Sequence, residues 1–440
     1  MGVPPKTLLK VLVTQRRMRY TEFERIFTDT AQRIIGRGAA NPTVGESQFR
    51  RWTSGQLKGL PNPDTCRVLE EIFGVPAAHL FAAPAASAKP RETVFNLKYE
   101  IDMTARKAQE DAGATATSIS DTTIEQLRDD LADLARTYSA RPAYEVWSQG
   151  RRLREDVEAH RERTQIPAQQ QELLILAGQA ASLLASSAFD LGDLSGAKRL
   201  ARTAGLYGES ARFNPLRAYA EGSLAYIAYF SGSPSQAAKL AGRALLYPGI
   251  GDVAARRLRA IEARAHGHRG DVEAARTSII LSTEEGQGTH DDLHDGISGE
   301  FGFTNERLSM SNSSTALLMG DSKQAATTAQ RALALILQKP AADRSSPVLG
   351  GASADLAMAR LMSGDVDGAA DALTTLWAIP PDERVLGLLA RACRIQRYLS
   401  EPKFRGSVLL PDLCDRIETY TRMSVPFQLG SLPARPQLDQ

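Results

Sequence analysis

The sequence is poor in cysteine and in aromatic residues. Its three cysteines, Cys66, Cys393 and Cys414, lie far apart and lack the close spacing of a metal site or a disulfide framework. We expect buried thiols, which suits a reducing cytoplasm. Aromatic residues make up 6% of the 440 residues, so the core must be built mainly from Ala, Leu, Ile and Val. This composition favours closely packed helices over a β-sandwich.

Long apolar runs and the familiar catalytic motifs are also missing from the sequence. No run of 18 apolar residues is present, and Lys10 interrupts the only apolar stretch near the start, so we expect a cytoplasmic chain with no membrane partner. There is no phosphate loop, G-x-S-x-G elbow, H-E-x-x-H motif or Cys–His zinc set. We therefore expect neither an enzyme nor a cofactor.

Charge is distributed unevenly along the chain. The length suggests two or three domains. The whole chain carries a net charge of +2, whereas residues 1–82 hold 12 basic and seven acidic residues, a net +5. This basic N-terminal part suits an anionic partner there.

Residues 43–55 are the most informative stretch of the sequence. The pattern predicts a short helix over about 45–54 that buries Phe49 and Trp52 and stops at Gly55. Its other face carries compact polar and arginine side chains of the kind that read base edges or hold phosphates. An ordinary solvated helix face is the alternative for Arg50 and Arg51. These residues belong to a predicted all-α unit with helices at about 6–18, 21–35, 45–54, from 63 to Gly74, and in a last turn ending at Leu80-Phe81.

Several spaced motifs carry a family resemblance. They are Phe49-x-x-Trp52-x-x-Gly55, Pro61 and Pro63, Leu69-Glu70-Glu71-Ile72-Phe73-Gly74-Val75, and Leu80-Phe81. Together they resemble the XRE/Cro–repressor helix-turn-helix family over about one fifth of the chain. Residues 28–43 depart from the family's short connection. Either the second helix is extended, or a longer loop carries Arg33, Arg37 and Asn41 toward the DNA backbone.

The resemblance implies roles for individual side chains. The bases of a double-stranded DNA operator would face Glu46, Ser47, Gln48 and Arg51. The phosphates would lie nearer Tyr20, Arg50 and Lys58. For Glu46 two readings stay open, because it can accept a hydrogen bond from cytosine or simply suit the positive end of the helix dipole.

After an Ala/Pro linker at 83–120, a repeat of helical hairpins begins at 121 and runs to 423. A glycine separates two helical patterns five times, followed by Asp or Ser and, five residues after the glycine, by Ala. The glycine would end one helix in a left-handed conformation, the polar residue would cap the next, and the small Ala would let the helices approach closely. The glycines are Gly192, Gly232, Gly270, Gly320 and Gly364.

These units resemble degenerate tetratricopeptide repeats, which stack into α-solenoids whose concave face binds peptides, proteins or small molecules. A helical array without a binding groove is the alternative. Two further helices at 381–423 are expected to cap the array, and 424–440 to form a tail.

An insertion at 284–303 interrupts the repeat. His290 and His294 lie four residues apart, which permits a metal site, but the glycine content argues against a rigid helix, and we predict none. Glu300, Phe301 and Phe303 are the better candidates for a ligand pocket. A hydrophobic plug between repeats is the alternative.

The sequence thus predicts an all-α protein with an N-terminal helix-turn-helix bundle followed by an α-solenoid. We expect a cytoplasmic, sequence-specific transcription regulator that binds DNA as a homodimer. The solenoid would dimerise, sense a peptide or small-molecule effector, or do both. The alternative is a protein-interaction adaptor whose N-terminal bundle is only a docking module.

Overall fold

The computed structural model describes residues 6–16, 18–35, 41–57, 59–83, 101, 103–109, 119–284 and 286–430. These residues form helices and connecting turns, with no β-strand among them, as the sequence predicts. The chain divides into two compact units, Met1–Lys107 and Ala108–Gln440, called unit 1 and unit 2 below.

Unit 1 is built around one aromatic and aliphatic core. Its largest buried side chains include Phe23, Phe27 and Trp52. Gly55 and Gly74 end two of the helices at φ of 72° and 67°, a conformation that favours glycine. The helices are α1 Leu8–Gln15, α2 Tyr20–Ile35, α3 Glu46–Ser54, α4 Pro63–Phe73 and α5 Ala77–Leu80.

The long connection before α3 is partly an extension of α2. That helix has 16 residues, and Arg33 near its end pairs with Glu71 of α4 at 2.9 Å. Arg33, one of the side chains that a long loop would carry toward the DNA backbone, is therefore engaged within the unit. Arg37 lies outside the described residues.

Unit 2 is a series of consecutive, mutually packed helix pairs. Its helices are α6 Asp121–Thr137, α7 Ala143–Arg161, α8 Pro167–Asp190, α9 Leu194–Ser210, α10 Asn214–Phe230, α11 Pro234–Ala244, α12 Asp252–His268, α13 Val272–Thr283, α14 Asn305–Leu318, α15 Ser322–Leu337, α16 Ser346–Met362, α17 Val366–Trp377, α18 Leu386–Leu399, α19 Leu410–Arg422 and α20 Val425–Gln428. The pairs predicted from the glycine repeat are α8/α9, α10/α11, α12/α13, α14/α15 and α16/α17.

The five repeat glycines adopt the predicted conformation, with φ between 73° and 88°. At four of the turns the following aspartate caps the next helix, as when Asp193 accepts a hydrogen bond from Gly196 N at 2.8 Å. Ser233 differs, because its side chain makes no cap bond at the start of α11. The alanines five residues after the glycines are all 0% exposed, so their small size permits the close helix contact: Ala197, Ala237, Ala275, Ala325 and Ala369.

Two predicted boundaries differ from the structure. Residues 103–109 of the predicted linker are helical, and Ile119 is buried in the unit 2 core. The predicted tail begins with a folded turn, because Ser424 is fully buried and caps α20 by accepting from Phe427 N at 3.4 Å. Ordered structure thus continues past residue 423.

Helix α8, the first helix of the α8/α9 pair, is long and apolar enough to cross a membrane. However, 78% of its most apolar window is buried inside unit 2, which is typical of a core helix. The array also closes on itself, since α18 contacts α8 and Leu386 packs with Ala185, Ala188 and Phe189. The first helices of the pairs therefore surround an interior space.

Candidate functional site

In unit 1, the candidate surface is the exposed face of α3. Trp52 is 2% exposed, and its ring lies 5.9 Å from that of Phe81. Phe49 is half-buried with its ring 4.8 Å from that of Phe23. These contacts fix the rotation of α3 about its axis, so that the opposite face points to solvent. Exposed there are Glu46, Ser47, Arg50 and Arg51, whereas Gln48 is half-buried.

The charged groups on this face are held loosely. Arg50 pairs with Glu46 at 2.6 Å, but both side chains are more than half exposed. Among the described residues, the Arg51 side chain hydrogen-bonds only to the carbonyl of Ser47, at 3.4 Å from Nε. An exposed pair one helical turn apart contributes only about 0.3–0.5 kcal/mol, so both arginines are available to an external anion.

Tyr20 lies at the start of α2, beside α3. Its hydroxyl donates to the carbonyl of Val44 at 3.2 Å, and its ring lies 5.8 Å from that of Phe49. Tyr20 thus positions the loop that leads into α3. Lys58, the remaining predicted DNA contact, lies outside the described residues.

In unit 2, the candidate site is a cavity of about 510 Å³ inside the helical array. Its walls come from the first helices of the pairs, α8, α10, α12, α14 and α16, together with α18. Further lining comes from residues 136–140, from 298–300 and 303–304 at the end of the insertion, and from Lys339, Asp343, Ser345 and Val385. This volume falls in the range of small-molecule sites.

The insertion forms one wall by docking on α6. Glu300 N donates to the carbonyl of Ala135 at 2.8 Å, and Gly299 beside it has a φ of 61°. Phe301 is fully buried, with its ring 5.0 Å from that of Tyr219. The sequence predicted that Phe301 would line a ligand pocket, but Phe301 does not line this cavity. It is the hydrophobic anchor, and its burial leaves Glu300 and Phe303 to face the cavity.

Glu300 is already engaged by protein groups. Its carboxylate accepts from Arg307 at 3.1 Å, from Ser186 Oγ at 3.0 Å and from Tyr219 Oη at 3.3 Å. Such a saturated carboxylate orders the wall of the cavity more readily than it binds a ligand cation.

The two insertion histidines point to different carboxylates. His294 is buried, and its Nδ1 lies 2.9 Å from Asp291 Oδ1, whereas the exposed His290 lies 3.2 Å from Asp295 Oδ1. No group of three metal-ligating side chains occurs in the part of the chain that the structure describes. Asp291 also accepts from Gly251 N at 2.8 Å, so the buried pair ties the insertion to α12.

Two arginines of α12 are cavity residues that the sequence analysis missed. Arg257 and Arg264 are seven residues apart and so lie on the same face of the helix. Arg264 stands between Ala263 and Ala265, both fully buried. The sequence feature that could have identified them is an arginine within an alanine-rich helix, because a buried cation requires a specific partner.

Asp190 is a cavity group whose protonation is strongly perturbed. Its Oδ2 accepts from Tyr138 Oη at 2.7 Å. Burial, reinforced by the nearby Glu300 carboxylate, raises the pKa of Asp190 to about 7. The folded protein therefore holds this proton at a pH where an unfolded aspartate has lost it.

This shift predicts a pH-dependent effect of Asp190→Asn. Between the ordinary pKa of 3.8 and about 7 the unfolded chain releases the proton and the folded chain does not, so ionisation of Asp190 lowers stability as pH rises. Asparagine stays neutral and still accepts from Tyr138. We expect the melting temperature of the variant relative to wild type to rise by about 2 °C between pH 5 and pH 8. Exposed Asp371→Asn serves as the control, and a relative melting temperature that does not change with pH would contradict the assignment.

The molecule thus presents an exposed polar helix face in unit 1 and a partly charged cavity in unit 2. No protein-family model and no curated protein matches this chain.

Proposed function

We propose that this protein is a sequence-specific DNA-binding transcription regulator. Unit 1 would act as a helix-turn-helix module of the XRE/Cro type, with α3 as the helix that enters the major groove. The observation that best supports this proposal is that α3 has two different faces. Buried Trp52 anchors one face, and Arg50 and Arg51 are exposed on the other. Tyr20 supports the proposal by bracing the loop before α3.

The polar side chains of α3, half-buried Gln48 included, match the chemistry of base recognition. Arg51 can donate two hydrogen bonds to guanine, Gln48 can pair with adenine, and Glu46 can accept from the cytosine amino group. The Glu46–Arg50 pair would open on contact with DNA and free Arg50 for a phosphate. Glu46, repelled by phosphates, would favour only sites where a cytosine satisfies it.

Unit 2 would supply the regulation as a tetratricopeptide-like domain. One module of this size gives modest affinity, so we propose a homodimer that reads two half-sites about one helical turn or a multiple apart. A ligand in the cavity would contact the inner helices of the array, from α8 in the first pair to α18. It could thereby shift the equilibrium between dimer geometries that match and do not match this spacing.

Arg51→Ala tests the DNA-binding surface. Genome-wide mapping of bound DNA with footprinting first defines the operator, and binding to that operator is then measured. Loss of a bidentate base contact should weaken binding by about 1–3 kcal/mol and relax the preference at one base pair. Arg67→Ala is the matched control, since it removes an equally exposed arginine from α4.

The outcome against the proposal is equally clear. If the intact protein binds DNA only in a salt-sensitive, sequence-blind manner, and Arg51→Ala behaves like Arg67→Ala, the surface of α3 does not read bases. A protein-interaction adaptor would then be the better interpretation.

A further inference from the structure

The cavity of unit 2 contains two guanidinium groups that form no ion pair with a carboxylate of the described residues. Arg264 is 4% exposed and donates to Tyr226 Oη at 3.2 Å and Ser311 Oγ at 3.1 Å, both neutral hydroxyls. Its buried Nε has no hydrogen-bond partner among the described residues. Arg257 donates to Ser223 Oγ at 3.1 Å and lies 4.2 Å above the ring of Tyr219. Neither guanidinium forms an ion pair with a described carboxylate.

Apart from Arg136, which is exposed, the other basic groups that line the cavity are neutralised. Arg307 pairs with Glu300 at 3.1 Å, and Arg391 with Asp355 at 2.9 Å. Lys339 pairs with Glu306. The protein therefore supplies counter-ions for three cations of the cavity and leaves the two α12 arginines without one.

An unpaired buried cation is costly, and a bound anion is the simplest way to compensate it. Burial lowers the pKa of Arg257, which reflects the same cost of holding its charge away from water. Charge-assisted bonds from a guanidinium to a carboxylate, sulfonate or phosphate are among the strongest polar contacts in proteins.

Part of the remaining cavity wall is apolar. The rings of Phe189 and Tyr226 lie 5.1 Å apart on adjacent inner helices. Aliphatic and thioether side chains extend this surface, namely Ile227, Ile261, Met310, Val348 and Leu388. An apolar wall beside two fixed cations suits a molecule with an apolar body and one acidic group.

We propose that the cavity binds a small organic anion, whose acidic group is held by Arg257 and Arg264 and whose apolar body packs on Phe189 and Tyr226. The volume of about 510 Å³ suits a metabolite-sized molecule rather than an extended peptide. Its role as an effector of DNA binding rests on the proposed function, whereas the binding itself does not.

The test compares two fluorescent probes with the full-length protein. 1-Anilinonaphthalene-8-sulfonate carries an aromatic body and a sulfonate, and N-phenyl-1-naphthylamine has the same aromatic body without the charge. We expect saturable binding of the sulfonate at one site per chain. Arg264→Gln should weaken sulfonate binding about tenfold or more, as expected for the loss of a charge-assisted hydrogen bond, and should leave binding of the neutral probe unchanged.

Arg269→Gln is the matched control, because it removes an exposed arginine just after the same helix. Arg257→Gln provides a second variant if Arg264→Gln fails to fold by circular dichroism. Hydrogen exchange should show protection of residues 257–264 on sulfonate binding. Equal binding of the two probes, or equal effects of the Arg257, Arg264 and Arg269 variants, would overturn the proposal.

The outcome is separable from the DNA-binding test. No DNA is present in the probe titration, and Arg51→Ala should bind the sulfonate like wild type. A protein that binds the sulfonate through α12 but ignores operator DNA would retain this inference and lose the proposed function.

Discussion

Trp52→Ala is expected to unfold unit 1 while unit 2 keeps its structure. The indole is 2% exposed and contacts the rings of Phe27 and Phe81, at 6.4 and 5.9 Å between ring centroids. Its truncation leaves a large cavity in a small core and should cost about 3–5 kcal/mol. Since that is a large part of the free energy of unfolding of a unit this size, operator binding should be lost as well.

Hydrogen exchange followed by mass spectrometry measures the two units separately in the intact protein. Peptides from α1–α4 should exchange rapidly in Trp52→Ala, and peptides from α8–α18 should keep wild-type protection. Leu60→Ala is the control, because Leu60 is 56% exposed in the same unit. Wild-type protection in α3 of the Trp52 variant would show that the tryptophan does not hold the helix in place.

Gly299→Val is expected to detach the insertion from α6 and open the cavity. A Cβ at Gly299 would lie 2.3 Å from the carbonyl oxygen of Ala135 and 2.5 Å from Cα of Arg136, both backbone atoms that cannot turn aside. The φ of 61° adds strain for a β-branched residue. Together the clash and the strain should cost about 3–5 kcal/mol. Detachment of the insertion from α6 avoids the clash and should therefore cost less free energy than keeping the contact.

The strain alone can be measured at Gly288. Its φ of 74° is similar, but nothing lies within 4 Å of a Cβ there, so Gly288→Val carries the backbone penalty without the clash. We expect fast hydrogen exchange at 297–303 and at the end of α6 only in Gly299→Val. If the two variants exchange alike, the contact with Ala135 does not hold the insertion.

The glycine repeat shows which structural features can be predicted from residues close together in the sequence. Each Gly-Asp turn acts within a few residues, because the left-handed glycine ends one helix and the aspartate caps the next. Asp321, for example, accepts from Gln324 N at 2.9 Å. The helices and their pairing were therefore predictable, as was the burial of Ala197 and its equivalents. In the same way the spacing of Phe49 and Trp52 predicted which face of α3 is exposed.

The cavity depended on contacts between residues far apart in the chain. The pairing of Arg307 with Glu300 follows from how successive helices stack. So does the position of Arg264, whose Nε has no hydrogen-bond partner among the described residues. Phe301 was misplaced for this reason, since an aromatic residue in a glycine-rich insertion looks the same whether it faces a ligand or anchors on Tyr219.

The sequence by itself determined the helices, their ends, the small residues at their contacts and the polar face of α3, because each of these depends on neighbours one or two turns away. Only the tertiary structure decided that α18 meets α8 and that two arginines share a cavity without an ion pair to any described carboxylate. Burial and charge pairing are properties of the whole array, since they depend on which distant groups exclude water from a side chain.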